Sequence, residues 1–285
     1  MNQEQYPVEK MCRVLGVSRS SYYRWNSSGP SARAVENERI MSKIRQIHED
    51  SNKSYGSPRI THQLNQLGES VSRPRVARLM KSAHIRCIRK PKFVPTTDSS
   101  HGLSVSPNVL ERAFEPGRIN RAWCSDITYI PSTEGWLYLT VIMDLGDRRV
   151  IGWSVSEGLS TRETILAAWQ MALSNRKPNP NTIFHSDRGV QYASEEFRGV
   201  LAQYTRTQSM SRKGNCWDNA VVESFFKSLK GEGLKIRQTA NKQQRRREIF
   251  DYIEIWYNRK RLHSSLGYKS PETFFLETFK DKLVA

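Results

Sequence analysis

Three acidic residues lie in stretches whose pattern would hold their side chains in fixed positions. Asp126 lies in WCSDITYI, Asp187 ends the apolar stretch of IFHSDRGV, and Glu223 lies in DNAVVESFFKSLK. Between Asp187 and Glu223 there are 35 residues. Carboxylates that converge bind a hard cation through oxygen, and without a cation their repulsion raises their pKa values. The chemistry of these three residues is therefore that of a metal site, if the fold brings them together.

The elements around the acids have the pattern of a mixed α/β sheet. Apolar and alternating runs predict five strands, at 123–130, 136–143, 150–155, 182–187 and 207–211. Helical periodicity predicts helices at 161–176, at 194–204 and from residue 218 onward. Short turns join the first three strands, so these should be antiparallel, and the later strands follow helices, as parallel crossovers do.

This order of elements predicts that the acids converge. The fourth strand should run beside the first, which puts Asp126 and Asp187 side by side. Glu223 lies at the border of the buried face of its helix, so the helix can lay it against the pair. An alternative for Glu223 alone is an ordinary helical ion pair with Lys227, one turn later. The ordered set of three acids favours a site with Asp126, Asp187 and Glu223 as metal ligands.

The charge of the chain points to a polyanionic partner. Lys and Arg number 45 against 28 Asp and Glu, a formal net charge of +17. Nucleic acid is the commonest such partner, and an anionic membrane is the rival. No apolar run is long enough to span a bilayer and the N-terminus has no apolar signal core, so we expect no membrane association and a cytoplasmic protein. The four cysteines form no C-x-x-C pair, which argues against a disulfide framework or a zinc ribbon.

The front of the chain, residues 1–92, has two stretches with the pattern of a helix-turn-helix. In the first, 8–25, Val8, Met11, Cys12 and Leu15 form one helical face, Gly16 ends the helix and Ser18 caps the next. In the second, 54–90, Gly68 separates two helices and Ser72 is the expected cap. Exposed basic residues on the second helix of each unit would contact DNA: Arg19, Arg24, Arg73, Arg75 and Arg78. An ordinary helical hairpin with a solvated face is the alternative, and the Ser/Pro-rich stretch 93–109 reads as a linker.

Several motifs in order resemble one family. WCSDITYI, FHSDRGVQY, SMSRKGNCWDNAVVESFFKSLK and the tail YNRKRLHSSLGYKSPETF are similar to those of the DDE transposases of the IS-three group of bacterial insertion sequences. The chain looks like the second-reading-frame product, which is the catalytic half. The front segment SYGSPRITHQL with VSRPRVARLMK is similar to the helix-turn-helix region that precedes the integrase core in these proteins.

The resemblance implies an RNase H-like catalytic core of the retroviral integrase type, at 110–235, completed by a helical extension at 236–285. It implies two Mg²⁺ ions, or Mn²⁺ in their place, held by Asp126, Asp187 and Glu223. In this family the enzyme nicks the element's end and the 3′ hydroxyl then attacks target DNA. Such chemistry suits two metals, which activate the attacking oxygen and stabilise the leaving one. The implied partners are double-stranded DNA, further copies of the chain on DNA, and the upstream-frame product or a fusion with it. In a bacterial cell the protein would be nucleoid-associated when bound.

Other polar residues near the acids have expected roles. We expect Asp218 and Asn219 to cap the helix that carries Glu223, and His185 either to be satisfied by packing or to contact DNA or water. Basic residues around the acids are expected to hold DNA: Arg188, Arg212, Lys213, Lys227 and Lys230. Two other functions compete with transposition. One is a non-catalytic DNA-binding regulator, against which the intact set of acids argues, and the other is a retroviral-type integrase or free-standing nuclease, which the helix-turn-helix front disfavours.

Overall fold

A computed structural model of the chain describes residues 6–88, 103–115, 117–205, 207–234 and 240–284. The chain divides into two compact units, each with its own core. The helical unit comprises Met1–Ser51 and Tyr55–Arg86, and the core unit comprises Asn52–Ser54 and Cys87–Ala285. No helix in the described ranges is long and apolar enough to cross a membrane.

The helical unit contains five helices. They are α1 Val8–Val14, α2 Arg19–Ser27, α3 Ala32–Asp50, α4 Ser57–Gln66 and α5 Arg73–Ser82. Its core is built from α3, α4 and α5, and each of these helices buries one apolar stripe. The buried residues are Ile40, Ile44 and Ile47 of α3, Ile60 and Leu64 of α4, and Val76 and Met80 of α5. Helix α3 was not expected from the sequence, although it supplies the largest share of this core.

The first helix pair has the predicted turn but not the predicted buried face. Gly16 has φ +65°, and the Ser18 side chain accepts a hydrogen bond from the Ser21 amide at the start of α2. Of the face predicted on α1, Cys12 is buried, whereas Leu15 is 73% exposed. That part of the prediction is wrong because the pair α1–α2 has little other structure of its unit packed against it.

The second helix pair, α4 and α5, also turns at the predicted glycine. Gly68 has φ +82°, a conformation that favours glycine. Ser72 is the N-cap residue of α5, but its side chain makes no capping hydrogen bond, contrary to the expectation. Leu67, which would continue the apolar face of α4, is 61% exposed because it is the C-cap residue.

The core unit is built on the mixed five-stranded sheet that the sequence predicts. Its strands are β1 Ala122–Ser132, β2 Gly135–Asp144, β3 Val150–Ser156, β4 Ile183–Ser186 and β5 Thr207–Met210. Their order is β3-β2-β1-β4-β5. Strands β1, β2 and β3 pair antiparallel, and β4 pairs parallel with both β1 and β5. The predicted fold class is confirmed, and β4 does lie beside β1.

Helices cover both faces of this sheet. They are α6 Ala167–Asn175, α7 Val190–Ala193, α8 Glu195–Ala202, α9 Ala220–Ser228, α10 Lys242–Phe250 and α11 Pro271–Val284. A wider π-type turn, Arg162–Leu166, leads into α6, and similar turns follow α9 at Leu229–Gly233 and α10 at Asp251–Tyr257. A 3₁₀ turn, Cys216–Asn219, leads into α9. Close approach of α6 to β3 requires Gly152, since a side chain there would collide with Ala168.

Alternation along β1 divides the core into two layers. Cys124 and Ile130 face a cluster that includes Val222 and Phe225 of α9. Trp123 and Ile127 face the opposite cluster around Trp169 of α6. The period of two residues read from the sequence therefore assigns each β1 residue to its observed face.

Both ends of the predicted core region are attached to the sheet. The linker predicted at 93–109 lies mostly outside the described residues. Its last residues contact β5, since the Met210 amide donates to the Pro107 carbonyl and the Val109 amide donates to Ser209 Oγ. On the C-terminal side, Asn258 donates to and accepts from the backbone of Val150, at the start of β3.

Candidate active site

Strands β1 and β4 place two of the predicted acids opposite each other. Cys124 is in parallel register with His185, where β4 is about to end at Ser186. Two residues further along the chain lie Asp126, within β1, and Asp187, directly after the end of β4. Since side chains two residues apart point to the same face, both carboxylates are on one side of the sheet, where the fourth strand stops.

Backbone amides hold both carboxylates. Asp126 Oδ1 accepts a hydrogen bond from the Ile127 amide at 2.8 Å, and Asp187 Oδ1 accepts one from the Gly189 amide at 2.9 Å. A Cβ at position 189 would lie 3.0 Å from Asp187 Oδ1, so glycine leaves room for this carboxylate. Each aspartate is therefore fixed in orientation before any ligand binds.

The pair is electrostatically unfavourable without a cation. Asp126 keeps partial solvent access, but the protein around it withdraws water and raises the pKa of the carboxyl well above its usual value. The charges of Asp187 and Glu223 raise the pKa of Asp126 further, and the Ile127 amide and Lys230 oppose the rise. Carboxylates gathered in this way have the donor chemistry that a divalent cation requires.

Glu223 lies near this pair on α9, at the border of the buried face. Its side chain is 18% exposed, and burial raises the pKa of its carboxyl, while Lys227 at 3.9 Å lowers it. In the described part of the chain, however, no three acidic, histidine or cysteine side chains are close enough to hold one metal ion together. The structure therefore brings Asp126 and Asp187 together and leaves Glu223 beside them, within electrostatic range of Asp126.

Asp218 has a role other than the predicted cap. This fully buried carboxylate accepts hydrogen bonds from the Arg212 amide and guanidinium and from the Arg112 guanidinium. The hydrogen bonds from Arg212 hold the pKa of Asp218 well below its usual range. Burial raises this pKa, and the hydrogen bond from Arg112 lowers it further. Asp218 thus fastens the loop that leads into α9. The capping prediction is wrong because partners distant in sequence, Arg112 above all, compete for this side chain.

Two buried side chains lie behind the aspartates. The sequence left two roles open for the first, His185, and did not indicate the second, Tyr192. His185 is fully buried between Ser209 Oγ at 2.8 Å and Ser211 Oγ at 3.3 Å, and burial lowers the pKa of its imidazole to about 4. Packing, not contact with DNA, is thus its role in this structure. Tyr192, which the sequence reading did not single out, bonds through its hydroxyl to Ser125 Oγ at 2.8 Å. Only its proximity to Asp187 in sequence could have suggested it.

The basic residues predicted near the acids differ in their environments. Lys213 is exposed, and the Arg212 side chain is 55% exposed although it bonds to Asp218. Arg188 is partly buried, and its Nε donates to the Ser211 carbonyl. Lys227 lies beside Glu223. Lys230 was expected to contact DNA, but here it bonds within the protein. Its Nζ donates to Thr128 Oγ1 at 2.7 Å, and burial lowers its pKa.

In the helical unit, the predicted arginines also separate into two groups. Arg19, Arg24, Arg73 and Arg78 are exposed. Arg75 is not part of an exposed stripe, because its guanidinium donates to Glu36 and Asn37 of α3. Since α3 was not foreseen, this partner could not have been read from the sequence.

Family comparisons agree with this architecture. The chain matches an integrase core domain family over residues 116–216, a second integrase core domain family over 204–271 and an HTH-like domain family over 36–93. The HTH-like match begins within α3 and so includes the helix that completes the core of the helical unit.

Similar proteins cover nearly the whole chain. "Insertion element IS600 uncharacterized 31 kDa protein" of Shigella sonnei is 42% identical over 264 residues, which are 93% of this chain and 97% of that protein. "Transposase InsF for insertion sequence IS3A" of Escherichia coli strain K12 is 40% identical over 275 residues, which are 96% of this chain and 95% of that protein.

Solved structures with a similar fold are more distant. The magnesium complex of the HTLV-2 integrase catalytic core domain, in its trimeric form, is 17% identical with a TM-score of 0.37, over 54% of this chain and 95% of that one. A simian T-cell lymphotropic virus intasome chain is 14% identical with a TM-score of 0.42, over 81% of this chain and 73% of that one. The assignment therefore rests on the sequence relatives and the domain families. The chain belongs to the IS3-type insertion-sequence transposases, with an integrase core domain and an HTH-like domain.

Proposed function

We propose that this transposase cleaves DNA at the ends of its insertion sequence and joins the resulting 3′ hydroxyl to target DNA, with Asp126, Asp187 and Glu223 as the residues that bind the required metal ions. The observation that carries the proposal is the aspartate pair at the end of β4, held by backbone amides and beside Glu223. A buried acidic pair of this kind costs stability, which a purely structural site has no reason to bear.

The residues fit a divalent cation. The donors are carboxylate oxygens, which suit hard ions such as Mg²⁺ and Mn²⁺ better than the softer metals that thiolates select. Burial, followed by the negative charges of Asp187 and Glu223, raises the pKa of Asp126, and a bound cation would favour its charged form. When bound, two such ions would activate the attacking oxygen and stabilise the leaving oxygen of the phosphodiester. Glu223, whose charge acts on Asp126, would be the third ligand.

The residues of the chain itself position the reactants. The Ile127 and Gly189 amides keep Asp126 and Asp187 oriented, so little reorganisation is needed during the reaction. In each step an oxygen nucleophile, first water and then the 3′ hydroxyl, forms a bond to phosphorus while the bond to the leaving oxygen breaks. No covalent intermediate with the protein is required, and catalysis depends on positioning and charge neutralisation.

Basic residues would bind double-stranded DNA around this site and on the helical unit. In the core unit the candidates are Arg188, Arg212, Lys213, Lys227 and Lys230. In the helical unit the candidates are the exposed Arg19, Arg24, Arg73 and Arg78. Arg75 is a weaker candidate because its guanidinium is already bonded to Glu36. Two DNA ends must meet during transposition, so we further propose that several copies assemble on DNA, together with the upstream-frame product or as a fusion with it.

A strand-transfer assay tests the triad. The wild type, Asp187→Asn and Glu223→Gln would be incubated with Mg²⁺ and a labelled duplex that carries the element's end, alone and with the upstream-frame product. We expect joining by the wild type and a loss of at least about 100-fold in each variant, since removing one charged group aimed at the reacting centre has an effect of this order. Glu157→Gln is a matched surface control, because this carboxylate is 55% exposed and pairs with Lys242. Full joining by Asp187→Asn would show that the triad is misassigned.

A further inference from the structure

Asn219 is a buried asparagine at the start of the helix that carries Glu223. It is the last residue of the 3₁₀ turn and the N-cap residue of α9, and it is 5% exposed. Its side chain caps no backbone amide of α9. Instead, its Nδ2 donates to the Ser125 carbonyl at 3.1 Å, so the asparagine connects the start of α9 to β1.

The other half of this amide has no partner. Asn219 Oδ1 is buried and accepts no hydrogen bond from any residue that the structure describes. A buried acceptor without a donor lowers the stability of the folded state. An apolar side chain of similar size, such as leucine, would avoid this cost. The unpaired acceptor offsets the gain from the hydrogen bond to Ser125, so stability gives little reason for an asparagine here.

The position of the connection indicates a purpose other than stability. Ser125 directly precedes Asp126 on β1. A second connection joins β1 to the π-type turn directly after α9, where Lys230 Nζ donates to Thr128 Oγ1 at 2.7 Å. Glu223 lies between the two connections along the chain, one turn after Asn219, and Asp126 lies between them on the strand. The two connections together set how Glu223 faces Asp126.

We propose that Asn219 is a positioning residue, which holds α9 against β1 so that Glu223 can join Asp126 and Asp187, and which thereby sets the affinity of the site for its divalent metal. The inference rests on the proposed function, since it requires these three carboxylates to be the metal ligands. Residues that orient metal ligands without contacting the metal commonly change metal affinity 10–100-fold when they are replaced.

The test measures Mn²⁺ binding by the full chain without DNA, as the rise in melting temperature over a titration with Mn²⁺. Strand transfer over the same Mn²⁺ range gives a second readout. In Asn219→Leu we expect a metal-free melting temperature close to that of the wild type, because loss of the unpaired acceptor offsets loss of the hydrogen bond to Ser125. We expect the half-saturating Mn²⁺ concentration to rise by about 10–100-fold in both readouts. Asn219→Ala gives the same expectation for metal if leucine does not pack.

Asn258→Leu is the matched control. Asn258 is also buried, at 3% exposure, and also bonds to a strand backbone, but to Val150 of β3 and with both halves of its amide satisfied. Its replacement should lower the melting temperature and leave the half-saturating Mn²⁺ concentration unchanged. This pattern, opposite to that of Asn219→Leu, separates positioning from general stability.

Asp187→Asn distinguishes failure of this inference from failure of the proposed function. If Mn²⁺ stabilises the wild type but not Asp187→Asn, and Asn219→Leu binds Mn²⁺ as the wild type does, then Asn219 has no positioning role. If Asp187→Asn is stabilised as much as the wild type, the metal site itself is misassigned.

Discussion

At the scale of single residues, the site combines fixed geometry with unfavourable charge. Backbone amides hold Asp126 and Asp187, and burial and neighbouring acids raise the pKa of Asp126. A carboxyl whose pKa is higher in the folded state than in the unfolded state loses stability as pH rises above the unfolded value, which is about 3.9 for Asp. At neutral pH the metal-free protein is therefore less stable than it would be with a neutral group at position 126.

Asp126→Asn should for this reason stabilise the metal-free protein while abolishing strand transfer. We expect a higher melting temperature at pH 7 without metal, and no added stabilisation by Mg²⁺. In a unit of this size, each kcal/mol gained in the free energy of unfolding raises the melting temperature by about 2–4 °C. The gain should disappear below about pH 4, where the wild-type carboxyl is protonated in both states. Melting curves at pH 4 and pH 7, with and without Mg²⁺, measure both effects.

Asp144→Asn is the contrasting variant. Burial, together with Asp147, raises the pKa of Asp144 to about 6, but this carboxylate also pairs with Arg176 at 2.6 Å, and both side chains are buried. Its replacement leaves the buried arginine with less compensation, so the melting temperature should fall. A fall of the same size in Asp126→Asn would contradict the view that Asp126 is held for function at a cost in stability.

Residue-level prediction succeeded where the local pattern determines the answer. Strand alternation put Asp126 on the same face as Cys124, and the element order put β4 beside β1. It failed where a distant partner determines the answer. Lys230 bonds to Thr128, Asp218 to Arg112 and Arg75 to Glu36, and no spacing along the chain specifies these pairs. Long basic side chains have many acceptors within reach, and the fold decides which one they meet.

At the scale of elements, α5 carries two exposed arginines and one that is bonded within its own unit. Arg73 and Arg78 are exposed, whereas the Arg75 side chain is 20% exposed and pairs with Glu36 at 2.8 Å. Helix α3, which supplies that partner, was missed although its buried Ile40, Ile44 and Ile47 recur at helical spacing. The predicted exposed stripe of three arginines is therefore reduced to two.

Binding of a DNA end at several salt concentrations tests this division. Because each phosphate contact contributes about 0.9 to the slope of log K against log salt, Arg73→Gln with Arg78→Gln should reduce the slope by about two. Arg75→Gln should leave the slope near the wild-type value and lower the melting temperature instead. If Arg75→Gln reduced the slope as much as the loss of one exposed arginine does, the ion pair between Arg75 and Glu36 would have to open to bind DNA.

The same helical unit should lose stability in acid through Glu69. Hydrogen bonds from Arg39 and then Lys43 lower the pKa of this carboxyl to about 2, and its side chain is 10% exposed. A lowered pKa gives stability that is complete above the unfolded value, about 4.3, and is lost as pH falls towards 2. Glu69→Gln should therefore melt earlier than the wild type at pH 7, and the difference should vanish near pH 2. Circular dichroism melting at three pH values measures it, and a difference that persists at pH 2 would refute this assignment.

At the scale of the whole molecule, the chain joins two units with different tasks. The helical unit presents exposed arginines, and the core unit holds the carboxylates. The core unit depends on the end of the chain, because Ile249, Ile253 and Tyr257 belong to the same apolar cluster as β1, β2 and α9. The sequence indicated a division into two parts from its motifs, and the expectation that the extension at 236–285 completes the core came from the family resemblance.

Two separate cores predict two thermal transitions, and this can be tested by calorimetry on the full chain. Since the enthalpy of unfolding scales with the number of ordered residues, the larger peak should belong to the core unit. A ligand stabilises only the state that binds it, so Mg²⁺ should raise the larger transition and leave the smaller one in place. Asp187→Asn should remove this shift, and Glu69→Gln should lower the smaller transition alone. If Mg²⁺ moved both transitions together, the units would unfold as one, and the metal site would then be coupled energetically to the helices that carry the exposed arginines.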